Sequence, residues 1–223
     1  MMKNNIIIFT GGTGGHVIPA EILYDFINKK TNKVYLITDE RGYQYLNNIF
    51  PKRIFKIKSS HMSGSYKYRI VAITKLIIGF FQSLLIILKL RPKIVISFGS
   101  YASLPPLLSL IILKKLLKTR LYIHEQNSVI GQTNKLFINF SNKFFLNFKK
   151  EYNLKNKYIK KISIVGLPNK SVVENKILNK KFHNNKIGFL IYAGSQGSLE
   201  ILNVLKNLIN NDTFKKINKQ IKF

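Results

Sequence analysis

Short apolar runs alternate along the chain with longer stretches whose apolar residues recur every three or four positions. The runs "NIIIFT" (5–10), "KVYLIT" (33–38), "KRIFKI" (52–57), "KIVISFG" (93–99), "RLYIHEQN" (120–127) and "KFFLNF" (143–148) have strand length, and "KISIVGLPNK" (161–170) holds another strand before a proline break. Between them, Ile22, Leu23, Phe26 and Ile27 form one face of a helix with Pro19 in its first turn. Residues 69–90 predict a long helix stopped by Pro92, residues 104–118 a helix with prolines in its first turn, and residues near 131–140 a further helix. Strands alternating with helices predict an α/β fold built on a parallel sheet with helices on both faces.

That topology has a consequence for chemistry. Right-handed crossovers bring the segments after each strand to one edge of the sheet, where ligands of open α/β sheets bind. The segments are Gly11–His16, Gly99–Ser103 and His124–Asn127, distant in sequence but expected to converge. After about residue 168 the strand, Gly-loop, helix grammar restarts in "NNKIGFLIYAGSQGSLEILNVLKNLI" (184–209), with a short helix expected at 212–219 and the strand-like "QIKF" after it. The expectation is a complete first domain, residues 1–165, and the beginning of a second, residues 166–223.

The first of these segments, "FTGGTGGHVIPA" (9–20), is the most glycine-dense. It is not a dinucleotide fingerprint, because Val17 stands where the third glycine of G-x-G-x-x-G would fall, and no Gly-Lys-Ser/Thr run makes it a P-loop. Glycines feeding a helix N-terminus still permit close backbone approach and offer N–H groups to an anion. His16 adds a titratable group beside them; a tight turn carrying a surface histidine is the plainer reading. In "HEQN" (124–127), Glu125 suits proton handling or hydroxyl binding, while Gln126 and Asn127 can both donate and accept toward sugar hydroxyls; a solvated loop is the alternative. The spacing is not H-E-x-x-H, so no zinc site is expected. Asp39 in "TDERG" (38–42) is better explained as turn chemistry than as a ribose ligand.

Composition adds partners and compartment. The 223 residues carry 37 Lys and Arg against 9 Asp and Glu, a formal charge of +28, and no cysteine. The absence of cysteine excludes disulfides and cysteine zinc sites and suits a reducing compartment. The charge suits an anionic partner such as a membrane surface or a phosphorylated substrate; a Lys-, Asn- and Ile-rich composition gives the same excess with no partner at all. No nucleic-acid-binding signature is present, so nucleic acid is not expected. Strand-like residues begin within a few positions of Met1 with no charged region and apolar core before them, so no secretory leader is expected. No uninterrupted apolar stretch reaches spanning length, since Gly79, Gln82 and Ser83 break "LIIGFFQSLLIILKL" (76–90). The 69–90 helix is apolar on nearly every face. It is either deeply buried or partly dipped into a membrane interface, with Lys67, Arg69, Lys75 and Lys89 meeting lipid phosphates.

Taken together, "FTGGTGGHVIPA", "TDERG", "GSYASLPP", "HEQNSVIGQTNK", "VGLPNK" and "AGSQGS" occur in the order and spacing of the MurG family, and the resemblance spans essentially the whole chain. It implies a GT-B fold: a complete N-terminal Rossmann-like domain plus the start of a second, with the active site in the cleft between them. It implies inverting β-1,4 transfer of GlcNAc from UDP-GlcNAc to lipid I, giving lipid II in peptidoglycan synthesis, at the cytoplasmic face of the bacterial inner membrane. By resemblance, His16 and Glu125 are the catalytic candidates. Thr13, Gly14, Gly15, Asn127, Lys170, Ser195 and Gln196 would bind UDP-GlcNAc, and Gly11, Gly12, Gly99, Ser100 and Tyr101 the acceptor diphosphate. No metal or cofactor is implied, and the partners are UDP-GlcNAc, lipid I and the anionic membrane surface. Two departures stand out. Where the family reads Gly-Asn-Pro-Val-Arg this chain has Gly166-Leu167-Pro168-Asn169-Lys170, exchanging a bidentate fork for a point charge. Family chains are also longer, so the donor pocket is expected to be incomplete. The alternative expectation is therefore a catalytically impaired remnant that keeps only lipid I or anionic membrane binding.

Overall fold

The computed structural model describes residues 5–31, 33–62, 65–149, 155–168 and 198–210. The chain divides into two compact units, Met1–Lys170 and Ser171–Phe223. In the first unit, seven strands form one parallel sheet: β1 (Ile6–Phe9), β2 (Val34–Thr38), β3 (Ile54–Lys56), β4 (Ile94–Ser97), β5 (Arg120–Glu125), β6 (Lys143–Leu146) and β7 (Ile162–Ile164). Their order is β3-β2-β1-β4-β5-β6-β7, so the chain reverses direction across the sheet between β1 and β4. Ile6 pairs with Val34 on one side and Ile94 on the other, which aligns the ends of β1, β2 and β4.

The helices are α1 (Gly14–Asn28), α2 (Glu40–Tyr43), α3 (Tyr66–Leu90), α4 (Leu104–Leu117), α5 (Gln132–Phe137) and α6 (Asn156–Ile159). β1 is apolar throughout because both its faces are covered: Ile7 and Phe9 belong to the core under α3 and α4, Ile6 and Ile8 to the core under α1. Helix α1 begins five residues before Pro19, so the expected start was too late and part of the glycine segment is itself the first helical turn. On the α1 side, Ile94, Ile96, Tyr122 and Phe145 of β4–β6 line an apolar depression of about 480 Å³ together with Ile6 and Ile27.

Helix α3 is neither short of spanning length nor deeply buried. Its 25 residues are long and apolar enough, by length and composition, to cross a membrane. Its inner face is a seam of Ala72, Gly79, Ser83, Ile87 and Leu90 seated against α4 and the loop after β3. Gln82 accepts a bond from the Lys58 N–H at 2.8 Å, and the Phe80 carbonyl accepts one from Ser109 of α4. These bonds and the seam hold α3 as a docked helix. Its outer face leaves Ile70, Ile73, Ile77, Phe81 and Leu85 exposed, continued by Leu108, Ile112 and Leu116 of α4.

In the second unit the described residues form α7 (Leu199–Asn210), an amphipathic helix with Leu202, Leu205 and Ile209 on one side. The expected strand and Gly-loop at 184–197, the helix at 212–219, "QIKF", and the candidate residues Lys170, Ser195 and Gln196 lie outside the described residues.

Candidate functional site

The segments after β1, β2, β4 and β5 meet at the carboxyl edge, on either side of the point where strand order reverses. This is the position that open α/β sheets use for ligands. Their mutual approach is close enough to require glycine. A Cβ on Gly12, whose φ is +77°, would lie 2.6 Å from the Ser100 hydroxyl, and one on Gly11 would lie 2.5 Å from the Ala102 Cβ.

Asp39 ties this side of the site together. Its Oδ1 accepts from the N–H groups of Gly12 and Gly42, both at 2.9 Å, and its Oδ2 accepts from the Tyr101 hydroxyl at 3.0 Å and Ser59 at 3.3 Å. Asp39 thus serves the turn, as its sequence context suggests, and also buttresses the glycine segment. Burial, followed by the neighbouring Asp39 charge, pushes the Tyr101 hydroxyl up to about 12, so it stays a donor. Gly12 and Tyr101, expected on an acceptor diphosphate, here spend those donors on Asp39. Donors that suit an anion here include the first-turn N–H groups of Gly14 and Gly15, which have no intrahelical acceptor. Thr13 occupies the N-cap without a side-chain capping bond. Ser100 sits at φ 73°, ψ 156°, directly after Gly99 at φ 75°; this succession turns the chain from β4 into α4.

The other side centres on His16. Its Nδ1 lies 2.9 Å from the Phe98 carbonyl oxygen and 2.9 Å from Gln126 Oε1. A peptide carbonyl only accepts, so Nδ1 carries the proton and the lone pair resides on Nε2. Gln126 cannot be turned around: the reverse orientation would set its NH2 against that N–H and its oxygen against the His124 carbonyl, to which Nε2 donates at 3.1 Å. Gln126 Nε2 also reaches His124 Nδ1 at 3.2 Å, and His124 Nε2 donates to the Gly166 carbonyl at 2.9 Å. Burial lowers the His124 pKa below its ordinary value, against the weaker pulls of the Gly166 carbonyl and Glu125, so the ring stays neutral.

Glu125, the second catalytic candidate, is tied into its own loop. Only 1% exposed, it accepts from the Asn127 N–H and side-chain amide at 3.0 and 3.1 Å, and from the Gly131 N–H and Asn134 amide, both at 2.8 Å. Both oxygens are engaged in holding the 125–134 loop. Asn127, at the loop's exposed end, is thereby fixed in place. Asn134 in turn packs against Gly99, where a Cβ would approach its amide to 2.9 Å. Among the described residues, no group of three His, Asp or Glu side chains is placed to hold a metal ion.

Residues 6–146 match the model of the glycosyltransferase family 28 N-terminal domain. The chain is 30% identical over 201 residues to the UDP-N-acetylglucosamine--N-acetylmuramyl-(pentapeptide) pyrophosphoryl-undecaprenol N-acetylglucosamine transferase of Bartonella tribocorum, covering 88% of this chain and 51% of that one. It is 30% identical over 221 residues to the protein of the same name from Protochlamydia amoebophila, covering 94% and 56%. The chain therefore spans about half the length of the curated relatives it matches. The crystal structure of Acinetobacter baumannii MurG superposes with a TM-score of 0.58 over 75% of this chain and 46% of that one, at 23% identity, a likeness of fold. A parallel sheet reversing between β1 and β4, glycine segments meeting at its carboxyl edge and a family match across that whole sheet lead to one conclusion: the chain belongs to glycosyltransferase family 28, whose N-terminal domain it contains.

Proposed function

We propose that the chain supplies the acceptor half of a peptidoglycan glycosyltransferase, one that moves GlcNAc from UDP-GlcNAc to the C4 hydroxyl of lipid I with inversion, giving lipid II. The observation that carries this reading is His16, in the first turn of α1, with its Nδ1–H donated to Phe98 and Gln126 and the Nε2 lone pair left at the carboxyl edge. In the reaction the acceptor O4 attacks C1 of GlcNAc, the C1–O bond to UDP breaks, and the O4 proton passes to His16 Nε2. The first-turn N–H groups of Gly14 and Gly15, with Thr13, suit diphosphate oxygens, and Asn127, held by Glu125, suits sugar hydroxyls. Lys170, Ser195 and Gln196 complete the proposed set on the UDP side. No metal or cofactor enters this mechanism.

The outer face of α3 and α4 suits the anionic, cytoplasmic surface of the inner membrane, where lipid I would be met. Its exposed Ile, Leu and Phe side chains are bordered by Lys67, Arg69, Lys75, Lys89, Arg91, Lys115 and Lys118, all exposed. The test of the catalytic reading is transfer of labelled GlcNAc from UDP-GlcNAc to lipid I. His16→Ala is expected to lower the rate by about 10²–10⁴, the ordinary contribution of a positioned base. An unchanged rate removes His16 from the chemistry. The membrane reading is tested by sedimentation with anionic vesicles: binding should weaken on replacing Ile77 and Phe81 by Ser, and salt alone should remove only part of it.

A further inference from the structure

The function proposed above asks only that His16 be a base; the structure also shows what orients it. Four groups form a hydrogen-bonded line whose donors all point the same way. His16 Nδ1–H donates to Gln126 Oε1, Gln126 Nε2–H to His124 Nδ1, and His124 Nε2–H to the Gly166 carbonyl. Two fixed acceptors anchor the polarity. The Phe98 carbonyl lies at the His16 end, and the Gly166 carbonyl, just past β7, lies at the other. Neither can donate, so both histidines are forced into single tautomers, and into opposite ones: Nδ1–H at His16 and Nε2–H at His124. His124 is 3% exposed and lies against Phe98 with ring centroids 5.1 Å apart, so its plane is held by packing as well as by bonds. Gln126, 7% exposed, joins the two rings because an amide accepts at one end and donates at the other.

We propose that His124 and Gln126 are positioning residues for His16: they form a one-directional relay, anchored on the Gly166 carbonyl, that keeps the His16 lone pair on Nε2. Its catalytic meaning rests on the function proposed above; its existence does not. With the His124 ring removed, Gln126 Nε2 keeps the residue-124 carbonyl and loses the ring, so the amide is held at one point instead of two. Its oxygen then sits less firmly on His16 Nδ1, the Phe98 carbonyl is left as the main opponent of the other tautomer, and the population of that tautomer rises.

The experiment is long-range 15N–1H NMR of the imidazoles in the 223-residue chain, whose four histidines are assigned by single His→Gln variants. The expected wild-type result is opposite tautomers at His16 and His124. In His124→Phe, which keeps the ring stack on Phe98, the His16 nitrogens are expected to move toward tautomer-averaged positions although residue 124 does not touch His16. Gln126→Leu should move them in the same sense, and Asn127→Ala, off the relay, should not. Amide spectra check that each variant is folded. An Nε2–H tautomer at His16, or a His16 spectrum identical to wild type in folded His124→Phe, overturns the proposal. In the GlcNAc-transfer assay, His124→Phe should lower kcat about tenfold with KM little changed. If the tautomers are as stated and His16→Ala transfers GlcNAc as fast as wild type, the relay stands and the catalytic reading falls; transfer with an Nε2–H His16 defeats the relay alone.

Discussion

Gly79 lies in the middle of α3, where glycine costs about 1 kcal/mol relative to alanine in a helix interior. Considered by propensity alone, Gly79→Ala should stabilise the protein. The structure predicts the opposite. A Cβ at this position would lie 1.9 Å from the Lys58 carbonyl oxygen, 3.1 Å from the Lys58 carbonyl carbon and 3.4 Å from the Pro105 Cβ. Taking about 3.3 Å as the closest ordinary C···O approach, α3 would have to withdraw by about 1.4 Å from the segment after β3. Overpacking of this kind costs about 1–3 kcal/mol, and backbone against backbone belongs at the upper end because no side chain can swing aside. The same movement pulls Gln82 from the Lys58 N–H, a bond worth about 1 kcal/mol. Set against the propensity gain, the net loss is about 2–3 kcal/mol, or about 5–10 °C in Tm for a chain of this size. Urea and thermal unfolding followed by circular dichroism measure it, with Thr74→Ala, exposed on the same helix, as the control that changes propensity without a clash. A Gly79→Ala protein as stable as wild type would show that α3 is not seated on Lys58, and the docked-helix description would fail with it.

Two further outcomes follow from the site. Ser100, at φ 73° and ψ 156°, occupies backbone space that is essentially glycine's, a cost of about 1–3 kcal/mol. Ser100→Gly should therefore gain about 1 kcal/mol net, after about 0.5–1 kcal/mol of added unfolded-state entropy and loss of the long Ser100–Ala102 bond; a fall in Tm contradicts this. His124 is held neutral by burial, its folded pKa below the 6.5 of the free side chain. Its contribution to stability is complete above that value and is lost as pH falls below it toward the folded pKa, because the unfolded chain takes up a proton that the folded one refuses. The stability of wild type relative to His124→Phe should therefore shrink between about pH 7 and pH 5 in urea unfolding, and a constant difference would show that His124 titrates normally.

The strands were legible because a parallel sheet covered on both faces needs continuous apolar runs, and "NIIIFT", "KIVISFG" and "RLYIHEQN" are such runs. The meeting of the three polar segments followed from topology alone. Other features depend on what lies across the fold. The start of α1 at Gly14 was hidden because glycines are poor helix formers, and only the extended N-cap at Thr13 marks it. A helix apolar on every side, like α3, gives no sign of which face is docked; the seam of Ala72, Gly79 and Ser83 is the available clue, since small residues mark close approach. Glu125 beside a histidine suggests proton chemistry, yet its four bonds come from residues 127, 131 and 134. The part played by Gln126 requires knowing that residues 16 and 166 both lie beside it, which no local pattern encodes.

Strand β7 is three residues long, lies at the edge of the sheet and has no fully buried residue, whereas β1 is buried throughout. Local opening is cheapest where backbone bonds are few and apolar cover is thin. The amides of β7 should therefore exchange with solvent well before those of β1 and β4. The acceptor that His124 depends on hangs from this same strand, one residue past the Val165 N–H that donates to Leu146. Fraying of the sheet's outermost strand would thus release His124 while the glycine segments at its centre remained in place.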